Sequence, residues 1–376
     1  MVNVRRATIE DQNAIFEFIK MAYVGRWQYK IPERWQWEFI DNPFLFDDGL
    51  PIWIAVEEDG SVVGQTCALV EPIKIGEEVH KVGWSVDTFL LPEYRGQGIG
   101  FQLQKANDQA NEIFMSLSMS KANRRIKSGL GSVPIDPVLA FSRLVRYTPE
   151  SVRTAIAERM SQKEGLRKVW RGITRFLLLD RILSGLLNTR LRLIDRRQLK
   201  RRVTSLRFTQ IEQFGEEVNQ IWQKVSPFYH AVIQRTADYL NWKYVAQPHV
   251  SYKKYLAWQA DQPCGYVIFR QGLAPERNLG VIVDLFAAPG DKETILDMLI
   301  FAMRYLIQEG VKDIQIASSI PMYQELFRKL GFHEIKGAYP MLHCKVDSPA
   351  CKAALEPGAW FLSKGDHDWD QFPLAR

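Results

Sequence analysis

The stretch "VDTFLLPEYRGQGIGFQLQ", residues 86–104, decides how this chain is read. An apolar run leads into Pro92. Three glycines follow within five positions (Gly96, Gly98, Gly100), and an amphipathic run comes after them. The pattern is a strand, a bare loop and a helix. Pro92 cannot donate to a ladder, so the strand has to end or splay around Leu91. A glycine loop at a helix N-terminus points several backbone N–H groups outward, where the helix dipole adds positive character. Such a nest takes phosphate oxygens, and Arg95 stands where it can add a charge-assisted bond. Two common phosphate loops are excluded: G-x-x-x-x-G-K-[ST] is absent, and G-x-G-x-x-G fails because position 101 is Phe. What stands is R-x-x-G-x-G over Arg95, Gly98 and Gly100. By itself the loop is either a phosphate nest or a tight turn with no ligand.

Working outward, the same unit is written twice. "WEFIDNP" (37–43) aligns with "WKYVAQP" (242–248), and "IAVEEDGSVVGQ" (54–65) with "LAWQADQPCGYV" (256–267). "SGLGSVPI" (128–135) aligns with "RKLGFHEI" (328–335), and "VDTFLLP" with "VDLFAAP" (283–289). Order is kept at offsets of 197 to 205, so two related domains flank a middle segment. We divide the chain into residues 1–147, a helical linker 148–204, a second unit 205–345 and a tail 346–376 expected to pack on the second unit. The first unit opens with a strand at "NVRRATI". A helix follows with apolar residues at helical spacing (15, 16, 19, 22–24), then a second helix carrying Trp35, Trp37 and Phe39. A hairpin turns at Asp59-Gly60. A long strand, 79–91, leads through the loop to a helix from about 98 to 112. "IFMSLSMS" reads as a buried strand and "KANRRIKSGLG" as a short helix closed by Gly131. The order β-α-α-β-β-β-α-β-α-β describes an α/β (α+β) mixed sheet with helices packed on it.

A phosphate nest beside a splayed strand suits a diphosphate attached to an amide-bearing arm that pairs like an added strand. Coenzyme A has that form. At these residues the sequence resembles the GNAT N-acetyltransferase superfamily, here as a tandem of two such domains. The resemblance rests on R-x-x-G-x-G after a strand ending in Pro, on the element order, and on the "N…LG" helix near 123–131. It implies that acetyl-CoA or another acyl-CoA sits on Arg95, Gly96, Gln97, Gly98, Ile99 and Gly100, with Asn123 nearby and the pantetheine arm along Phe89, Leu90 and Leu91. It also implies direct acyl transfer to an amine in a ternary complex. In the second copy Lys292, Ile295 and Asp297 stand where Arg95, Gly98 and Gly100 do. An acid in the nest repels phosphate, so the second unit is expected to be a non-catalytic partner that buries a face and walls the acceptor cleft.

Amine acylation needs a proton acceptor and a donor to the oxyanion. A backbone N–H around Leu90 is the family-like donor. Asp87 is a candidate base, but Asp284 repeats it in the copy without the loop, which favours a structural role. His80 is a second candidate base; its bland reading is a surface or strand-capping histidine. The resemblance implies a tyrosine on the last helix as acid toward the thiolate, and counting back from Gly131 that position is Lys127. Lys127 either stabilises the thiolate as a cation or is simply solvated. Tyr23, Trp27 and Trp35 are candidate acceptor-site residues, against the alternative of core packing; Trp37 and Phe39, repeated at Trp242 and Tyr244, read as core.

Composition is that of an ordinary globular protein, with 46% hydrophobic and 24% charged residues. No apolar run reaches membrane-spanning length, and "MVNVRRATIEDQ" is not a secretory signal. Cys67, Cys264, Cys344 and Cys351 form no C-x-x-C pair, so neither a zinc site nor a disulfide framework is expected, and a reducing cytoplasm is the default. Adjacent Asp366, His367 and Asp368 are not expected to hold a metal. The net charge of +6 is local: residues 150–204 hold 15 Lys/Arg and 5 Asp/Glu, which is +10 and leaves −4 elsewhere. Residues 170–194 read as a basic amphipathic helix or helix pair interrupted near Gly185 and Asn188. It is a linker with solvated arginines, a peripheral membrane contact, or a dock for an acyl carrier protein. No nucleic-acid motif accompanies the charge. The function expected is an acyl-CoA-dependent N-acyltransferase acting on a small-molecule or peptide amine. The alternatives are a carrier-protein-dependent acyltransferase or a non-catalytic CoA-binding scaffold.

Overall fold

The computed structural model describes residues 2–46, 49–159, 179–199, 206–272, 278–345 and 347–371. The first half runs β1 (Asn3–Arg6), α1 (Gln12–Ala22), α2 (Glu33–Phe39), β2 (Ile52–Val56), β3 (Val62–Ile75), β4 (Glu78–Leu90), α3 (Ile99–Ala110), β5 (Ile113–Ser116), α4 (Lys121–Gly129), β6 (Val133–Pro134) and β7 (Val138–Leu144). Helices α5 (Pro149–Arg159) and α6 (Leu179–Leu199) follow. The second half runs β8 (Leu206–Gln210), α7 (Glu216–Val225), β9 (Ala231–Ile233), α8 (Ala237–Tyr244), β10 (Lys253–Gln259), β11 (Gln262–Gln271), β12 (Leu279–Ala287), α9 (Lys292–Gln308), β13 (Asp313–Ser318), α10 (Pro321–Lys329), β14 (His333–Ala338), β15 (Met341–Cys344), α11 (Pro349–Leu355) and β16 (Trp360–Phe361). The β2–β3 hairpin turns at Asp59-Gly60 as the sequence predicts. Gly60 has φ +87° and the Asp59 carboxylate accepts from the Ser61 N–H at 2.9 Å, an Asx turn.

Two mixed sheets repeat one topology. The first has the order β1-β2-β3-β4-β5-β15-β6 and the second β8-β10-β11-β12-β13-β7-β14. Each sheet therefore holds, between its fifth strand and its last, a strand from the other half of the chain. β7 pairs with β13 and β14, while β15 pairs with β5 and β6. The expected division after residue 147 assigns β7 to the first unit, yet its hydrogen bonds lie in the second sheet. Reciprocal exchange is what a local two-fold relation between repeated units produces. The same relation shows at α2 and α8. Trp37 and Trp242 stack at 4.7 Å between ring centroids, and each indole N–H donates to the other's carbonyl, at 3.0 and 3.4 Å. Both are buried, as their repetition predicts. Between the units Glu71 of β3 accepts from Lys243 and Tyr239, both at 2.9 Å, so this buried carboxylate is paired.

The middle segment departs from expectation. α6 runs unbroken through Gly185 and Asn188; residues 170–178 lie outside the described residues. Its inward face is the polar one. Asn188 exchanges two hydrogen bonds with the Tyr147 backbone, Asp180 pairs with Arg153 at 3.0 Å, and Asp195 pairs with Arg143. These tertiary bonds offset the poor helix propensity of Gly and Asn. Ile182, Leu186 and Leu193 face outward instead. Cys344 and Cys351 are joined in a disulfide, contrary to the reading from spacing alone, because the end of β15 and the first turn of α11 bring them together. Among the described residues no helix is long and apolar enough to cross a membrane, and no cluster of His, Cys, Asp and Glu could hold a metal.

Candidate active site

Along the order β1-β2-β3-β4-β5-β15-β6, β4 and β5 pair in parallel, and only briefly: Gly83 opposite Phe114 and Trp84 opposite Met115. Beyond Trp84 the two strands part. The splay thus begins deeper than Pro92 predicts; the proline marks the end of β4, while the vertex is at Trp84. The opening holds a cavity of about 870 Å³, lined by residues 85–90 on one side, 116–120 on the other, and the glycine loop at the mouth. From Leu90 to Ser85 the strand covers five steps, roughly 16 Å at about 3.3 Å each, the length of an extended arm.

The loop is built as a nest. Gly96 and Gly98 take left-handed backbone, φ +81° and +80°, a region costly for residues with a Cβ. Gly98 caps α3, and its carbonyl accepts from Phe101 and Gln102. Among the described residues no acceptor receives the N–H groups of Gly96, Gln97, Gly98, Ile99 or Gly100. A side chain at Gly96 or Gly98 would meet no atom within 4 Å, so the space before the loop is open. Arg95 donates from Nε to the Leu90 carbonyl at 3.0 Å and lies 5.5 Å from the Phe89 ring centre. Phe89, Leu90, Arg95, Gly96, Gly98, Gly100 and Asn123 line the cavity. Leu91, Gln97 and Ile99 do not: Leu91 bonds Val63, Gln97 bonds the Glu93 carbonyl, and Ile99, the first residue of α3, is buried. Backbone N–H groups, open space and a guanidinium fit a diphosphate; residues 95–100 would hold one.

The second unit has the same split between β12 and β13, paired only over residues 279–281 and 313–315. There the opening shrinks to about 10 Å³, with Phe361 and Ser363 in its wall; the tail enters the split, Ser363 bridging Ser318 of β13 and the Gly365 N–H bonding the Val283 carbonyl of β12. The helix end is also closed: the Asp291 carboxylate accepts from the Thr294 N–H at 3.0 Å, taking a donor that an anion would use. The carboxylate thus stands where the first unit leaves its amides open.

At the deep end, Asp87 lies in a bulge of β4, with φ +48° and no partner on β3. Its carboxylate pairs with Lys30. In the second unit Arg235 pairs with Asp284 at 3.1 Å. Lys30 and Arg235 are separated by 205 positions, the same offset as Trp37 and Trp242 on the helices that follow them, so both units neutralise this acid in the same way. That is the structural role the repetition favours. Tyr23 lines the cavity with the Lys30 ammonium 4.4 Å from its ring centre. Burial, reinforced by the Asp87 charge, lifts its phenol well above its usual pKa.

Four sequence candidates fall elsewhere. Lys127 is neither solvated nor on the cavity wall. It is buried against Asp108 of α3, over the Phe114 ring at 4.3 Å. Burial lowers its pKa and raises that of Asp108, each against the pull of its partner. His80 lies near the β3–β4 turn, opposite Ile73 and 3.6 Å from Glu78, remote from the vertex. Trp35 is core, packed edge-on to Phe16 at 5.4 Å. Trp27 is half-buried against that core and does not line the cavity.

The tail supplies what the sequence reading missed. It does not pack on the second unit alone; His367, Asp368 and Trp369 form part of the first unit's cavity wall. His367 places Nε2 3.2 Å from the Ser85 carbonyl and Nδ1 against the Asp368 carboxylate. Burial disfavours the charged ring, but Asp368 and the Ser85 carbonyl outweigh it, so the His367 pKa is raised. Asp368, despite its burial, is held well below the usual carboxylate range by His367 and Arg34. Arg34 reaches Asp368 at 3.5 Å and Glu38 at 3.0 Å. Burial pushes Glu38 up to about 7, against the pull of Arg34. No periodicity signals this convergence. The run Asp366-His367-Asp368 was its one visible sign.

With the geometry described, the likenesses to other proteins fall into place. The pattern of the Acetyltransferase (GNAT) family matches residues 13–117, from α1 to the start of the cavity's second wall. A GCN5-related N-acetyltransferase from Anabaena variabilis is 13% identical, aligned over 92% of this chain and 73% of that one, with a TM-score of 0.59. One from Kribbella flavida is 12% identical over 93% and 72%, with a TM-score of 0.57. The Saccharomyces cerevisiae N-myristoyltransferase with bound myristoyl-CoA is 8% identical over 91% and 82%, with a TM-score of 0.53. At such identities the likeness is one of fold. No curated protein sequence matches the chain. Residues 13–117 thus carry the sequence signature of the Acetyltransferase (GNAT) family, and the fold of the chain is like that of GCN5-related N-acetyltransferases.

Proposed function

We propose that the protein is an acyl-CoA-dependent N-acyltransferase that binds its donor in the first unit only and passes an acetyl or longer acyl group directly to an amine. The observation that carries this reading is the open nest: five N–H groups without acceptors among the described residues, at the mouth of a slot of about 870 Å³. The second slot, at about 10 Å³ and closed by its own chain, supports the one-site assignment. Residues 95–100 hold the diphosphate, and the free edge of β4 beyond the vertex pairs with the amide arm. The thioester then lies near the bulge at Asp87 and Thr88, where backbone N–H groups outside the ladder are suited to hold the carbonyl as charge develops on it. This is deeper than Leu90, which sits beside the loop. The neutral amine forms the C–N bond, the C–S bond breaks, and the nitrogen's proton leaves to water. Asp87, paired with Lys30, shapes the bulge rather than accepting that proton. The acceptor is a small-molecule or peptide amine. Acetyl-CoA with a panel of amino sugars, amino acids, polyamines and peptides tests the reading: amine-dependent thiol release is expected. CoA binding with no release for any amine would favour the scaffold reading, which the burial of Lys127 at the usual acid position also favours.

A further inference from the structure

The deep end of the donor slot is not made by the unit that holds its mouth. The tail crosses from the second unit, and its path is fixed at each step. The Gly365 N–H donates to the Val283 carbonyl at 2.8 Å, and a Cβ there would sit 2.2 Å from the Tyr244 hydroxyl oxygen, so only glycine passes. Asp366 pairs with Arg235 at 2.9 Å. The Lys243 ammonium donates to the His367 carbonyl at 2.6 Å. After Trp369 the chain returns, with Asp370 accepting from the Tyr252 hydroxyl at 2.6 Å and the Gln371 N–H closing a turn on the Asp368 carbonyl at 3.1 Å. Residues 367–369 are therefore the tip of an anchored loop. His367 ties that tip to Ser85, one residue beyond the vertex, and meets the Trp84 ring edge-on at 5.4 Å. Trp369 stands beside it on the cavity wall, half-buried against the core, with the Lys364 ammonium 3.9 Å from its ring centre.

We propose that Trp369 is the residue that limits acyl-chain length in the donor slot, with His367 as the positioning residue that locks its loop to the vertex. This rests on the donor assignment made above. The arm enters at the glycine loop and runs toward Trp84, so whatever extends past the sulfur meets the tail. An acetyl group stops short of the indole. A long acyl chain has to displace it, together with the ion pairs of Asp368 to His367 and Arg34. Trimming the indole opens the end of the slot without touching the nest.

Calorimetric titration of the full chain with CoA, acetyl-CoA and octanoyl-CoA tests this. Wild type is expected to bind acetyl-CoA at least about tenfold more tightly than octanoyl-CoA, a discrimination within reach of an apolar pocket wall. Trp369→Ala should close that gap by about tenfold or more while leaving CoA within about threefold. His367→Gln, which keeps one donor for Ser85 and loses the ring's contact with the Asp368 carboxylate, should shift the ratio in the same direction by less. An unchanged CoA constant certifies the folded nest in each variant. Equal loss of all three ligands in Trp369→Ala, or an unchanged octanoyl-to-acetyl ratio, overturns the proposal. Wild type binding all three ligands alike overturns it and leaves the acyl-CoA reading standing; wild type binding none removes both.

Discussion

Filling the nest at one position separates its chemistry from its architecture. Gly98 has φ +80° and ψ −8°, and a Cβ there would meet no atom within 4 Å. Gly98→Ala therefore suffers no clash but does suffer the left-handed backbone, costing roughly 1–2 kcal/mol. Asparagine tolerates that conformation, so Gly98→Asn should fold with near-native stability while projecting an amide into the anion's space. Losing even one hydrogen bond to a charged group costs about 1.5–3 kcal/mol, or roughly 10- to 150-fold in Kd. The assay is titration calorimetry with CoA beside thermal melting. Both variants should lose CoA affinity by at least about tenfold, and only Gly98→Ala should lose stability by the backbone amount. If Gly98→Asn melts like wild type and binds CoA within about threefold, the open amides do not hold the diphosphate and the reasoning fails.

Further outcomes follow from other parts of the molecule. Lys127→Met strands the buried Asp108 carboxylate and should cost about 3–5 kcal/mol in denaturant unfolding; adding Asp108→Leu should recover most of it, with CoA affinity unchanged throughout. Trp37→Ala removes one half of the stacked pair between the units and should cost about 3–5 kcal/mol by the same measurement. Stability should fall as pH rises. Glu38, facing Arg34, Asp87, Asp368 and Lys30, holds its proton to about 7 when folded against a reference of 4.5, so the folded state binds the extra proton across that window. At about 1.4 kcal/mol per pH unit the loss is on the order of 3 kcal/mol. His367, facing Asp368, the Ser85 carbonyl and Glu71, acts in the same sense: its contribution is complete below its reference of 6.5 and disappears as pH passes its raised folded value. Melting curves from pH 5 to 9 should show the decline, and Glu38→Gln should flatten its acidic part.

Much of the fold was legible because local signals agreed. The strand–loop–helix of 86–104, the Asp59-Gly60 turn and the repeated tryptophans each follow from short-range chemistry. The exchange of β7 and β15 was not legible. When two units share a topology, a last strand from either fits either sheet, and side-chain alternation is the same in both. Lys127 was misjudged because a helix position one step from the cavity can turn inward once Asp108 offers a partner. The broken helix expected at Gly185 and Asn188 was averted by bonds to Tyr147, forty-one positions away. The deep wall of the site escaped for the same reason: it comes from residues 367–369, whose meeting with Ser85 depends on the path of the whole second half.

The most direct test of the central claim is an experimental structure of the chain with CoA. The account predicts one molecule per chain, its diphosphate oxygens within about 2.7–3.2 Å of the N–H groups of residues 96–100, with Phe361 and Ser363 still lining the split between β12 and β13. A diphosphate seated in the second unit, or in the first unit away from those amides, would contradict it.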